Sequence, residues 1–76
     1  MGQTMLQVFR ENLRRSIASS ELPLVTICDR AGYSTSYVRR ILNGEKNNPT
    51  LLFVESIAAA LDVNPFNLLE NNSGRP

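Results

Sequence analysis

A chain of 76 residues, 42% of them hydrophobic, is enough for one small domain with one core, and a domain of that size buries only about 60% of the surface its unfolded chain exposes. One cysteine and no histidine exclude an intramolecular disulfide framework, leave a structural zinc site short of ligands, and rule out Ser-His-Asp and Cys-His catalysis, so neither metal nor cofactor is expected and an enzyme is not. The net charge of +1 is polarised: residues 1–46 hold seven Lys and Arg against four Asp and Glu, a net +3, and residues 47–76 hold one against three, a net −2. One face of such a chain suits a polyanion. No apolar run approaches the roughly 18 residues that span a bilayer, and the N-terminus lacks the order of a secretion signal, so a cytoplasmic location is expected.

In chain order, Leu6, Phe9, Leu13 and Ile17 fall at helical spacing with Arg10, Glu11, Arg14 and Arg15 between them, which predicts a first amphipathic helix after Thr4. Arg14 and Arg15 read as solvated surface, with Glu11 the i,i+4 partner of Arg15. Pro23 suits the first turn of a second helix, running from Pro23 or Leu24 to Ala31, burying Leu24, Ile27 and Cys28, and closed by Gly32. Ser34 offers an N-cap to a third helix with Val38, Ile41 and Leu42 on its buried side, and Asn43-Gly44 stops it. Beyond a polar loop, Thr50 caps a fourth helix whose Leu51, Val54, Ile57, Ala58 and Leu61 define one face; Asn64-Pro65 opens a short fifth through Phe66, Leu68 and Leu69. Five helices with no strand candidate predict an all-α domain over residues 1–70, with residues 71–76 as a fraying tail.

The second and third helices are joined by a turn of only a few residues around Gly32, and that arrangement is a helix-turn-helix, whose second helix enters the major groove of DNA. With Val38 and Ile41 packed inward, the third helix displays Thr35, Ser36, Arg39, Arg40 and Asn43 outward. These are hydrogen-bonding and cationic groups, suited to base edges lying between two rows of phosphates.

The run LPLVTICDRAGYSTSYVRRILNGEKNNPTLLFVESIAAALDVNPFNLLE, residues 22–70, resembles the phage repressor and Cro-like helix-turn-helix family, also called the XRE family. The likeness rests on Ala31-Gly32, Ser34, Val38, Ile41, Asn43-Gly44, Pro49-Thr50 and Ile57-Ala58-Ala59-Ala60-Leu61 in that order. It implies a five-helix lambda-repressor-like DNA-binding domain with Thr35, Ser36 and Arg40 at base edges and Arg39 at base or phosphate. It also implies phosphate contacts from Asn43, Lys46 and Asn47 and from the N-terminus of the second helix. Where the family carries a glutamine in the first turn of that helix this chain has Leu24 after Pro23, and Tyr33 and Tyr37 are expected to reach phosphate in compensation, with capping of the core the other reading of Tyr33. Cys28 stands where the family usually has alanine and reads as a small buried hydrophobe.

The family's fifth helix commonly forms a dimer contact, which would involve Val63, Pro65, Phe66 and Leu69. The implied function is a sequence-specific transcriptional regulator, foremost a phage-type repressor acting as a homodimer, or a higher oligomer, on a palindromic operator in the nucleoid of a bacterial host. The sequence shows no cleavable C-terminal oligomerisation domain, so it is expected to be a small member or part of a longer protein, with an antirepressor protein as one route to relief. An antitoxin or restriction-modification controller on the same fold is the alternative. From another class, a protein-interaction module that no longer binds DNA has Pro23-Leu24 in its favour and Arg39, Arg40 and Lys46 against it.

Overall fold

A computed structural model describes residues 4–45 and 49–70. Five α-helices follow in order: α1 (Met5–Ser19), α2 (Leu24–Ala31), α3 (Thr35–Leu42), α4 (Leu51–Leu61) and α5 (Pro65–Leu69), and no strand occurs among the described residues. Local chemistry sets their ends. The Thr4 hydroxyl accepts from the Gln7 amide at 3.1 Å while the Gln7 side chain accepts from the Thr4 amide at 2.9 Å, a reciprocal capping box. Ser34, Thr50 and Asn64 accept from the amides of Tyr37, Phe53 and Phe66 at 3.1, 3.0 and 2.9 Å, so three of the expected caps are in place. Pro65 follows its cap in the first turn, as predicted. Pro23 is the N-cap of α2 rather than part of its first turn, and Leu24, the later of the two expected starts, is the first helical residue. Proline has no side-chain acceptor, so α2 begins without a side-chain cap.

Three of the five helix ends share one device. Gly32 at φ 83° and Gly44 at φ 80° turn the chain after α2 and α3, and Asp62 does the same after α4 at φ 59°. In each case the amide one residue further on returns to a carbonyl of the last turn: Tyr33 to Cys28 at 3.1 Å, Glu45 to Arg40 at 2.8 Å and Val63 to Ala58 at 3.0 Å. A left-handed residue is what lets the chain double back on those carbonyls.

The core is drawn from all five helices: Phe9 and Leu13, Ile27 and Cys28, Val38 and Ile41, Phe53, Val54, Ile57 and Ala58, and Leu68. α4 packs on α2 and α5, and α1 packs on α3 and α5, so α3 is held between α1 and α2 with one side left to solvent. Phe53 is fully buried, whereas Leu51, placed on the inner face by the sequence pattern, is 76% exposed. α4 is apolar nearly all round, and its phase is set by the two helices it packs against. No helix among the described residues is long and apolar enough to cross a membrane.

Candidate nucleic-acid interface

α3 starts three residues after Gly32, and its burial pattern fixes which side faces out. At about 100° per residue, fully buried Val38 and Ile41 point one way, and Thr35, Ser36, Arg39, Arg40 and Asn43 fall within an arc of about 140° on the other. Ser36, Arg39, Arg40 and Asn43 are exposed; Thr35, at the edge of that arc, is half-buried. The five side chains therefore form one ridge, as the spacing predicts. Arg39 and Arg40 lie in the last turn of α3, where the negative end of the helix dipole favours cations.

Tyr33 and Tyr37 flank the start of this ridge. Their rings stack with centroids 5.2 Å apart, and both meet Phe53 edge-on, at 4.9 and 5.5 Å. Each ring is half-buried and anchored on the core residue of α4, an arrangement that seats the turn between α2 and α3 on the fold. Lys46 and Asn47 lie outside the described residues.

Three functional candidates escaped the sequence pattern because their partners are distant along the chain. Arg10 Nε donates to the Ile41 carbonyl at 3.1 Å, and Arg14 Nη2 donates to the Leu42 carbonyl, so two arginines of α1 cap the C-terminal end of α3. Arg14 is thus not simply solvated surface as its position suggested. Asn12 is buried at 7% exposure, and its side-chain amide donates toward the carbonyls of Asn67, Leu68 and Glu70 at 3.4, 3.0 and 2.6 Å, which ties the end of α5 to α1. On α5 itself, Phe66 is 69% exposed and Val63, Pro65 and Leu69 are half-buried.

Cys28 is 1% exposed and packs in the core beneath α3, as expected of a small hydrophobe. Burial pushes its thiol pKa up, and the nearby positive charge of Arg39 acts in the opposite, lesser sense. Among the described residues no group of three His, Cys, Asp or Glu is placed to hold a metal ion.

The model of a helix-turn-helix family matches residues 21–68, which run from before α2 into α5 and include the whole ridge. Comparison with curated proteins gives no match. Among solved structures the chain is similar to the restriction-modification controller protein C.AhdI from Aeromonas hydrophila, with 30% sequence identity and a TM-score of 0.74 over 83% of this chain and 94% of that one. With the match covering most of its length and an outward polar ridge on the second helix of the turn, the chain belongs to the XRE-type helix-turn-helix family of DNA-binding regulators.

Proposed function

We propose that this protein regulates transcription by binding a two-fold-related duplex site as a homodimer, one α3 in the major groove of each half-site, as a small controller of the restriction-modification kind. The observation that carries the DNA reading is the single polar, cation-bearing ridge of α3, with Val38 and Ile41 anchoring its opposite side. Likeness to a restriction-modification controller over nearly the full length of that chain supports the controller reading over the phage-type repressor and the antitoxin.

In this reading Arg40 grips guanine O6 and N7 with two parallel N–H donors, a contact worth roughly 1–3 kcal/mol of discrimination. Thr35, Ser36 and Arg39 complete the base-facing set. Tyr33, Tyr37, Asn43, Lys46 and Asn47 hold phosphates on either side, fixing register without reading sequence. The N-terminus of α2, bare of any side-chain cap, presents backbone N–H groups to a phosphate. Val63, Pro65, Phe66 and Leu69 form the dimer contact, and the exposed ring of Phe66 supports that assignment. Two reading helices must then sit about 34 Å apart to meet successive major grooves.

The test is a titration of wild type and Arg40→Ala against duplexes selected from a random pool and against scrambled duplexes, at several salt concentrations. Wild-type binding should weaken steeply with salt. Arg40→Ala should lose about tenfold or more on the selected site and relax preference at one base pair, with a smaller loss on scrambled DNA. Equal losses on both would remove Arg40 from the base-reading set, and no salt-dependent retention of wild type on bulk DNA at low salt would favour the protein-interaction module.

A further inference from the structure

We infer that Arg10 and Arg14 are positioning residues for DNA reading: from α1 they hold the C-terminal end of α3 at the angle at which its ridge can enter the groove, without touching DNA themselves. The inference rests on the DNA-binding reading above. α3 has only eight residues, about two turns, too few to keep its own shape or direction. Its last carbonyls have no partner within the helix, and an unclosed end frays first.

Here that end is closed from three directions. The amides of Asn43, Gly44 and Glu45 return to the carbonyls of Arg39, Ile41 and Arg40 at 2.9, 3.2 and 2.8 Å. The Ile41 carbonyl accepts a second bond from Arg10 Nε, and the next carbonyl, Leu42, accepts from Arg14. Arg10 and Arg14 are four residues apart and so lie on one side of α1, reaching adjacent carbonyls across a gap of 31 and 28 residues in sequence. Two guanidinium charges at the negative end of the α3 dipole strengthen the same contact. The backbone leaves room for it: a Cβ added at Gly44 would lie 3.5 Å from Arg10 Cζ, so the guanidinium lies in contact range of the turn that ends α3.

The consequence is selective. Non-specific binding needs positive charge near phosphates, whereas reading base edges needs α3 in one register and at one tilt. A loosened α3 must be reordered on the specific site, and that cost falls on specific binding alone. Each lost tether should lower affinity for the selected duplex by about tenfold, the equilibrium equivalent of one hydrogen bond to a charged donor. Affinity for a scrambled duplex should change by less than about twofold.

The experiment compares wild type with Arg10→Met, Arg14→Met and the corresponding lysine variants, all below their melting transitions by circular dichroism. Hydrogen exchange at the Asn43, Gly44 and Glu45 amides is measured without DNA, and binding to selected and scrambled duplexes is measured across a salt series. Faster exchange in the methionine variants, a fall in the ratio of specific to non-specific affinity, an unchanged salt slope and no more than partial recovery by lysine, which keeps the charge and loses the fork, are the expected results. A salt slope lower by about one would overturn the proposal, because it would mean a direct phosphate contact. Unchanged exchange at the three amides, or equal loss on both duplexes, would overturn it as well. Should methionine at either position prevent folding, the lysine variants carry the test alone: the charge is kept, the fork is lost, and wild-type exchange and affinity ratio would refute the tether. Because exchange is read on the free protein, a failed tether is distinguishable from a chain that does not bind DNA.

Discussion

Asn12→Leu isolates the bond network that fixes α5. The amide nitrogen of Asn12 has two protons and faces three carbonyls, the best placed being Glu70 at 2.6 Å and Leu68 at 3.0 Å. Leucine keeps the same heavy-atom branching, with bulkier methyl groups, and removes both donors. The Leu68 carbonyl lies in a buried contact, so leaving it unpaired costs about 1–3 kcal/mol, and loss of the second bond adds about 1 kcal/mol. Burying the new apolar side chain returns about 1 kcal/mol, leaving a net loss of about 2 kcal/mol. An open groove lined by Arg15, Ser16, Ser19 and Asn67 borders Asn12, and leucine also blocks water from reaching the orphaned carbonyl through it. For a domain of this size a loss of about 2 kcal/mol corresponds to a melting point lower by roughly 8–16 °C. Asn12→Asp, which replaces a donor with an acceptor opposite carbonyl oxygens, should lose at least as much. Urea and thermal unfolding followed by circular dichroism measure both. Wild-type stability or better in Asn12→Leu would show that the amide network contributes nothing net and that α5 is held by Leu68 packing alone.

Two further outcomes follow from the site. Tyr33→Phe keeps the ring that meets Phe53 at 4.9 Å and removes only the hydroxyl; stability should stay within about 0.5 kcal/mol of wild type, while affinity for selected and scrambled duplexes should fall together by up to about tenfold if the hydroxyl reaches phosphate, as titration will show. Unchanged affinity would leave the ring a packing role only. Cys28, with its thiol pKa raised by burial, stays neutral in the fold above the pH at which an unfolded thiol ionises; its contribution to stability is fully present below about pH 8.5 and is lost as pH rises toward the folded value, so urea midpoints should be flatter between pH 8 and 10 in Cys28→Ala than in wild type.

How much of this was legible in the sequence depended on the range of each interaction. Caps and turn glycines act within three or four residues, so Ser34, Thr50, Asn64 and Gly32 announce their roles directly, and the outward ridge of α3 follows from Val38 and Ile41 by helical period alone. On α4 the expected face held at Val54, Ile57 and Ala58 and failed at its first turn, because LLFVESIAAAL is apolar nearly all round and nothing local distinguishes Leu51, which is exposed, from Phe53, which is not. Pro23 left the start of α2 open by one position, since proline fits both the residue before a helix and its first residue, and the structure takes the later start at Leu24. Arg10 and Arg14 sat among the polar residues of an amphipathic helix, and Asn12 carried no signal of its own, because a partner 28 to 58 residues away leaves no periodic trace.

Those three residues make α1 more than a lid on the core. Arg10 and Arg14 share one side of the helix, while Asn12, two positions from each, points about 160° away from both. One side of α1 therefore holds the end of α3 and another holds the end of α5. A helix of 15 residues is about 22 Å long and, packed on both partners, stiff enough to keep their separation fixed. In the homodimer proposed above, joined through α5, the distance between the two reading helices would be set inside each protomer by how α3 is placed relative to α5, and a tilt of either would be doubled by the two-fold axis. Substitutions at Asn12 and at Arg10 should then converge on one phenotype, weaker discrimination between half-site spacings, although neither residue lies on the ridge.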